Sequence, residues 1–216
     1  MKGIFEQEGL KLKVFTKEEH EFAHSVCLTE YIQGITTWDL YEKLCEDKDN
    51  IWDLRIFFER YYGKDIDQAL NNFVESFAAF QVQFYLLKVY SVSISNSVFF
   101  RDGSFMNINR ELYFTHWMES NSTVLVIRKR NAPFWLPKDI LDLLGGTQSK
   151  EFAYMKELIA QGLMAVDKHL ETIVSYLKVY IEKENLLWHE WNSDTLLKDI
   201  RERLEYDYGI PCETPD

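Results

Sequence analysis

The chain has 216 residues, of which 46% are hydrophobic, 15% aromatic and 27% charged. That composition supplies a large core and excludes a disordered tail, a collagen-like fibre and a low-complexity linker. Lys and Arg number 24 against 35 Asp and Glu, and the net charge of −11 excludes a general nucleic-acid coat protein, because like charges repel.

Leu10 to Val14 alternates apolar and basic residues, as a short strand with one wet face does. Thr16 with Glu19 three residues on is a capping-box pattern and predicts a helix to about Ile32, ending near Gly34. Thr36 or Thr37 can cap a second helix through Trp38, Leu40, Tyr41 and Leu44. Asn50 can cap a third, carrying Trp52, Leu54, Phe57, Phe58 and Tyr61 and closed by Gly63. From Asp65 a longer helix runs through Leu70, Phe73, Phe77, Phe80 and Phe84, the last four spaced as a core stripe. Residues 16–89 therefore read as helical.

The texture changes over residues 90–131, where β-branched and small residues favour strands. Asp102-Gly103 between Val98–Arg101 and Phe105–Ile108 is a hairpin signal, and Asn121-Ser122 marks a second one between Leu112–Trp117 and Val124–Ile127. Pro133 and Pro137 bracket a loop. Helical spacing returns over 138–208: a short segment up to Gly145-Gly146, a long helix capped by Ser149 with Gly162 as its expected break, and a last helix from Ser193. The expectation is one compact domain over residues 1–216, of mostly helical α+β class. Its helical N- and C-terminal parts flank a small antiparallel sheet at about residues 90–130.

Cys27, Cys45 and Cys212 are odd in number and lack C-x-x-C spacing, which fits reduced thiols rather than a disulfide framework. The first ten residues include Glu6 and Glu8 and lack the apolar run of a signal peptide, and no run of 18 apolar residues occurs. These features point to a soluble, cytoplasmic protein that does not enter a membrane.

The charge is unevenly placed. Residues 99–138 hold Arg101, Arg110, Arg128, Lys129, Arg130 and Lys138 against Asp102, Glu111 and Glu119, so a basic island lies between acidic flanks. Phe100, Tyr113, His116, Trp117 and Trp135 are interleaved with it. Arg101, Arg110, His116, Arg128 and Arg130 are candidate ligands for an anion or a nucleic-acid strand, which would be bound through this segment alone. The competing reading is a sheet edge whose charges discourage aggregation.

His20-Glu21-Phe22-Ala23-His24 fits H-E-x-x-H. On a helix, His at i and i+4 share a face and can share a zinc ion, and the intervening Glu can act as base on its bound water. The run resembles the signature of zincin-type metallopeptidases, which would make His20 and His24 metal ligands and Glu21 the catalytic base; Glu42 and Glu46 are candidates for a third ligand. Otherwise Phe22, Val26 and Ile32 form the inward face of an ordinary amphipathic helix. Arg110 and His116, five residues between them, resemble the R-x(4–6)-H pattern of HEPN-type ribonucleases. No G-x-x-x-x-G-K-[ST], G-x-G-x-x-G or G-x-S-x-G run occurs.

The leading functional expectation is a regulatory or neutralising protein that binds a protein partner, a basic one by charge complementarity, without catalysis and without a cofactor. A zinc-dependent metallohydrolase is the alternative, and a HEPN-like ribonuclease or nucleic-acid-binding protein the second alternative. The sequence leaves the oligomeric state open.

Overall fold

A computed structural model of the chain describes residues 2–11, 19–22, 26–29, 35–36, 53–87, 97–108, 134–183, 198, 200–202 and 204. In chain order the elements are α1 (Lys2–Gln7), β1 (Glu19–Phe22), β2 (Val26–Thr29), β3 (Ile35–Thr36), α2 (Leu54–Tyr62), a 3-10 turn (Gly63–Asp65), α3 (Ile66–Leu87), β4 (Ser97–Phe99), β5 (Phe105–Asn107), α4 (Lys138–Leu143), α5 (Lys150–Lys168) and α6 (Leu170–Lys183). The chain is a mostly helical α+β protein, as its composition and periodicity indicate.

Helix α3 is the centre. From Ala69 to Leu86 nearly every side chain is buried, so this helix is enclosed rather than amphipathic. Its neighbours are α2, α5 and the β4–β5 hairpin. The contacts are largely aromatic. Phe73 stacks on Phe77 at 5.3 Å between ring centres, Phe105 meets Phe77 edge-on at 5.2 Å, and Phe99 meets Phe58 edge-on at 5.8 Å. Such offset and edge contacts stabilise by about 0.5–1.5 kcal/mol each beyond the area they bury.

The helix ends are set by side chains. Asp53, rather than Asn50, caps α2: its Oδ1 accepts from Arg55 N at 2.8 Å and Ile56 N at 3.2 Å, and Gly63 closes the helix at φ 52°. Arg55 Nη1 donates to Leu143 O at 3.1 Å, satisfying a carbonyl at the end of α4. Ser149 Oγ accepts from Phe152 N at 3.1 Å and opens α5. The long C-terminal helix divides at His169, where φ is −108°; Gly162 lies buried within α5.

The N-terminal part departs from its helical reading. Glu19–Phe22 and Val26–Thr29 pair as antiparallel strands, with Glu19 opposite Thr29 and Phe22 opposite Val26. The capping-box pattern at Thr16 and Glu19 is a local signal, and pairing with the β-favouring run Val26-Cys27-Leu28-Thr29 overrides it. Ile35–Thr36 adds a short strand to β4, giving the sheet order β3-β4-β5, so strands are not confined to residues 90–131. Leu10 and Lys11 lie outside any strand, while α1 is a helix that sequence spacing did not mark. The proposed helix through Trp38–Leu44 and the proposed hairpin at residues 112–127 lie outside the described residues.

The β4–β5 hairpin is where expected, but its turn is longer than two residues. Gly103 N donates to Phe100 O at 3.0 Å and Phe100 N to Ser104 O at 2.9 Å, leaving Arg101-Asp102-Gly103 as the loop, with Gly103 at φ 89°. This glycine also sits directly on α3. A Cβ there would lie 2.4 Å from Ala69 O and 2.5 Å from Ala69 Cα. Gly103→Ala is expected to destabilise the protein by about 3 kcal/mol, combining backbone strain with a clash that neither backbone can relieve. Urea unfolding should show a lower midpoint at unchanged slope. Gly63→Ala, with open space around it, should cost only about 1 kcal/mol.

Candidate functional site

A helix as apolar as α3 has little reason to bury polar side chains, yet Asn72, Glu75, Ser76, Gln81 and Gln83 are all buried on it. Buried polar groups are costly unless hydrogen-bonded, so their partners show what they are for. Asn72 Nδ2 donates to Asp102 O at 2.7 Å, in the hairpin turn. Ser76 Oγ accepts from Phe105 N at 2.8 Å, at the start of β5. Gln81 Oε1 accepts from Trp135 N at 3.0 Å, and its Nε2 donates to Trp135 O. One helix thus grips two separate stretches of backbone, the hairpin and the segment leading to α4, in register along its length. From α2, Tyr62 Oη donates to Phe100 O at 2.7 Å, and burial pushes its phenol well above the ordinary value of 10.0.

Within the turn, Asp102 is the organiser. Its carboxylate accepts from Ser104 N and Ser104 Oγ, both at 3.0 Å. Tyr154 of α5 meets Glu75 of α3; burial and then this carboxylate hold the Tyr154 phenol above its usual range.

The hairpin has a closed end, the turn over Ala69 and Asn72, and an open end where Ser97 stands opposite Asn107. Both of these polar residues are fully buried. The open end is where the chain enters from residue 96 and leaves towards residue 109.

The candidate residues do not gather as the sequence suggests. Arg101 is exposed at the closed end of the hairpin, away from the end at which the chain departs towards Arg110. Arg110, His116, Arg128, Lys129 and Arg130 lie outside the described residues. Lys138, at the start of α4, is engaged with Asp142 at 2.6 Å, which holds its ammonium above the usual range. The zinc-site reading is corrected. Glu19–Phe22 is extended, so His20 and Glu21 lie on a strand and not on the helix that H-E-x-x-H chemistry needs; His24 is outside the described residues. Among the described residues no group of three or more His, Cys, Asp and Glu is placed to hold a metal ion.

No family model matches this sequence. Individual proteins do. The chain is 31% identical to a phosphatidylinositol 4-kinase of Dictyostelium discoideum over 127 residues, 57% of this chain and 10% of that protein. It is 29% identical to the phosphatidylinositol 4-kinase beta 1 of Arabidopsis thaliana over 178 residues, 79% of this chain and 15% of that protein. To a probable phosphatidylinositol 4-kinase STT4 homolog of Encephalitozoon cuniculi it is 28% identical over 186 residues, 84% of this chain and 12% of that protein. The proteins it resembles are lipid kinases.

The chain matches only between a tenth and about a sixth of the length of these curated relatives. Their names nonetheless overturn the expectation of a non-catalytic regulatory or neutralising partner-binding protein, and with it the zinc-hydrolase and ribonuclease alternatives. Acidic composition misled there: charge describes the surface and says nothing of the chemistry beneath it. The buried amides on α3 were also missed, because polar residues within an aromatic stripe give no local signal of their partners.

If Gln81 fixes the Trp135 segment, Gln81→Leu removes the partner of both a buried N–H and a buried C=O. The expected loss is roughly 2–4 kcal/mol. Hydrogen exchange of the Trp135 amide should rise in this variant beyond the global loss of stability.

Proposed function

We propose that this chain is a phosphatidylinositol 4-kinase-like protein, working in the ATP-dependent phosphorylation of phosphatidylinositol at a membrane surface. The observation that carries the reading is the likeness to kinases of that name across 79% and 84% of the chain in two of the relatives. Among the described residues no helix is long and apolar enough to cross a membrane, so the protein would meet its lipid from the cytoplasm as a peripheral partner.

Phosphoryl transfer is catalysed by positioning and by neutralising charge, with magnesium bridging the phosphates of ATP and cationic side chains facing them. Among the described residues no group of three or more His, Cys, Asp and Glu is placed to hold a metal ion. The sequence also lacks the G-x-G-x-x-G, H-R-D and D-F-G runs by which protein kinases are known. In this reading the phosphate-handling groups therefore come from other residues. The sequence offers Asn96, Asn109, Glu111 and Glu119 as oxygen donors and Arg110 as a cation.

The basic island then acquires a ligand of defined chemistry, the anionic head group of phosphatidylinositol and the anionic bilayer around it. With −11 overall, the acidic helical flanks would be repelled by that surface, leaving residues 99–138 to face it. Arg110, Arg128, Lys129 and Arg130 are the residues proposed to make contact.

Sedimentation with phosphatidylinositol-containing anionic vesicles tests this. The chain is expected to bind them, more weakly as salt rises. Replacing Arg128 and Arg130 by Ala should weaken binding about thirtyfold, at about 1 kcal/mol for each basic residue near the surface. Absence of binding at low salt, or binding indifferent to both arginines, would contradict the proposal.

A further inference from the structure

Glu8, just beyond α1, meets the joint between α5 and α6. Its two carboxylate oxygens each accept from Lys168 Nζ at 2.7 Å, and Oε1 lies 2.8 Å from His169 Nε2. Lys168 is the last residue of α5, and His169 separates it from α6. A helix C-terminus carries partial negative charge and disfavours a carboxylate, so Glu8 is tolerated there through the two basic groups placed between.

At six residues α1 is too short to be stable as an isolated helix. Tertiary contacts hold it: Phe5 is fully buried in the core, Ile4 and Leu10 pack against that core, and Glu8 reaches the joint. We propose that α1 is a strap across the α5–α6 joint, fastened by Glu8 to Lys168 and His169, so that the order of the N-terminal helix and the geometry of the joint are coupled. This goes beyond the lipid-kinase reading and does not depend on it.

Among the described residues the charged neighbours are few. On α1 Glu6 is exposed; on α5 Lys168 faces Glu8 and Asp167 is exposed; on α6 Glu171 is turned to Arg201 Nη2 at 2.9 Å. The hydrogen bond from Lys168, and then that from His169, holds the Glu8 carboxyl below its ordinary value of 4.5. A lowered carboxyl stabilises the folded state above its unfolded value and loses that contribution as the pH falls through its folded one. The strap is thus closed at neutral pH and opens below pH 4.5.

Hydrogen-exchange mass spectrometry on the full chain tests the coupling. In Glu8→Gln, exchange should rise about two- to fivefold in peptides covering residues 3–10 and equally in those spanning His169, the scale of an exposed ion pair. Lys168→Met should do the same, and peptides from α3 should not change in either variant. Acidifying wild type below pH 4.5 should raise the same peptides, and acid should add nothing in Glu8→Gln. Unchanged exchange in both variants, or faster exchange in α1 without any change across His169, would overturn the proposal.

Discussion

The architecture rests on one constraint: α3 is buried on all sides, so each polar group it carries must find a partner inside the protein. Asn72, Ser76 and Gln81 meet that requirement by bonding backbone groups of the hairpin and of the Trp135 segment. The aromatic residues between them, Phe73, Phe77 and Phe80, are buried, and that burial is non-directional. The amides and the hydroxyl supply direction. A hairpin of two three-residue strands is marginal by itself, and here its position is dictated by the helix beneath it. Gly103 completes the constraint, because only a residue without Cβ lets the turn approach Ala69.

That arrangement has a functional corollary. A rigid helix holding a short hairpin at a fixed register is a platform. Phosphoryl transfer depends on positioning more than on covalent chemistry, so a lipid-kinase reading asks of the scaffold what α3 provides. The chain also differs from a standard kinase sequence. It lacks the familiar signature runs, and residues 99–138 are net positive within an otherwise acidic protein.

Much of the helical scaffold was legible in the sequence because its signals are local. The spacing of Phe73, Phe77, Phe80 and Phe84 gives α3, Asp102-Gly103 gives the hairpin, and Ser149 gives the start of α5. What was not legible depends on residues far apart. The β1 and β2 strands need each other, and the capping-box pattern within that stretch points the other way. Helix α1 is too short for periodicity and is fastened 160 positions away, at Lys168. Gln81 is an unremarkable polar residue until Trp135 is brought to it across 54 positions. The candidate site suffered from the same limitation: H-E-x-x-H is a motif only on a helix, and the helix was inferred from the capping box that strand pairing overrode.

Phosphatidylinositol phosphorylation is the activity proposed for this chain. The direct measurement is transfer of labelled phosphate from the γ-position of ATP to phosphatidylinositol in vesicles, with the isomer of the product resolved. The expected product is phosphatidylinositol 4-phosphate, formed only with magnesium. A folded, vesicle-bound chain that yields no labelled lipid, or labels a different ring position, would contradict it.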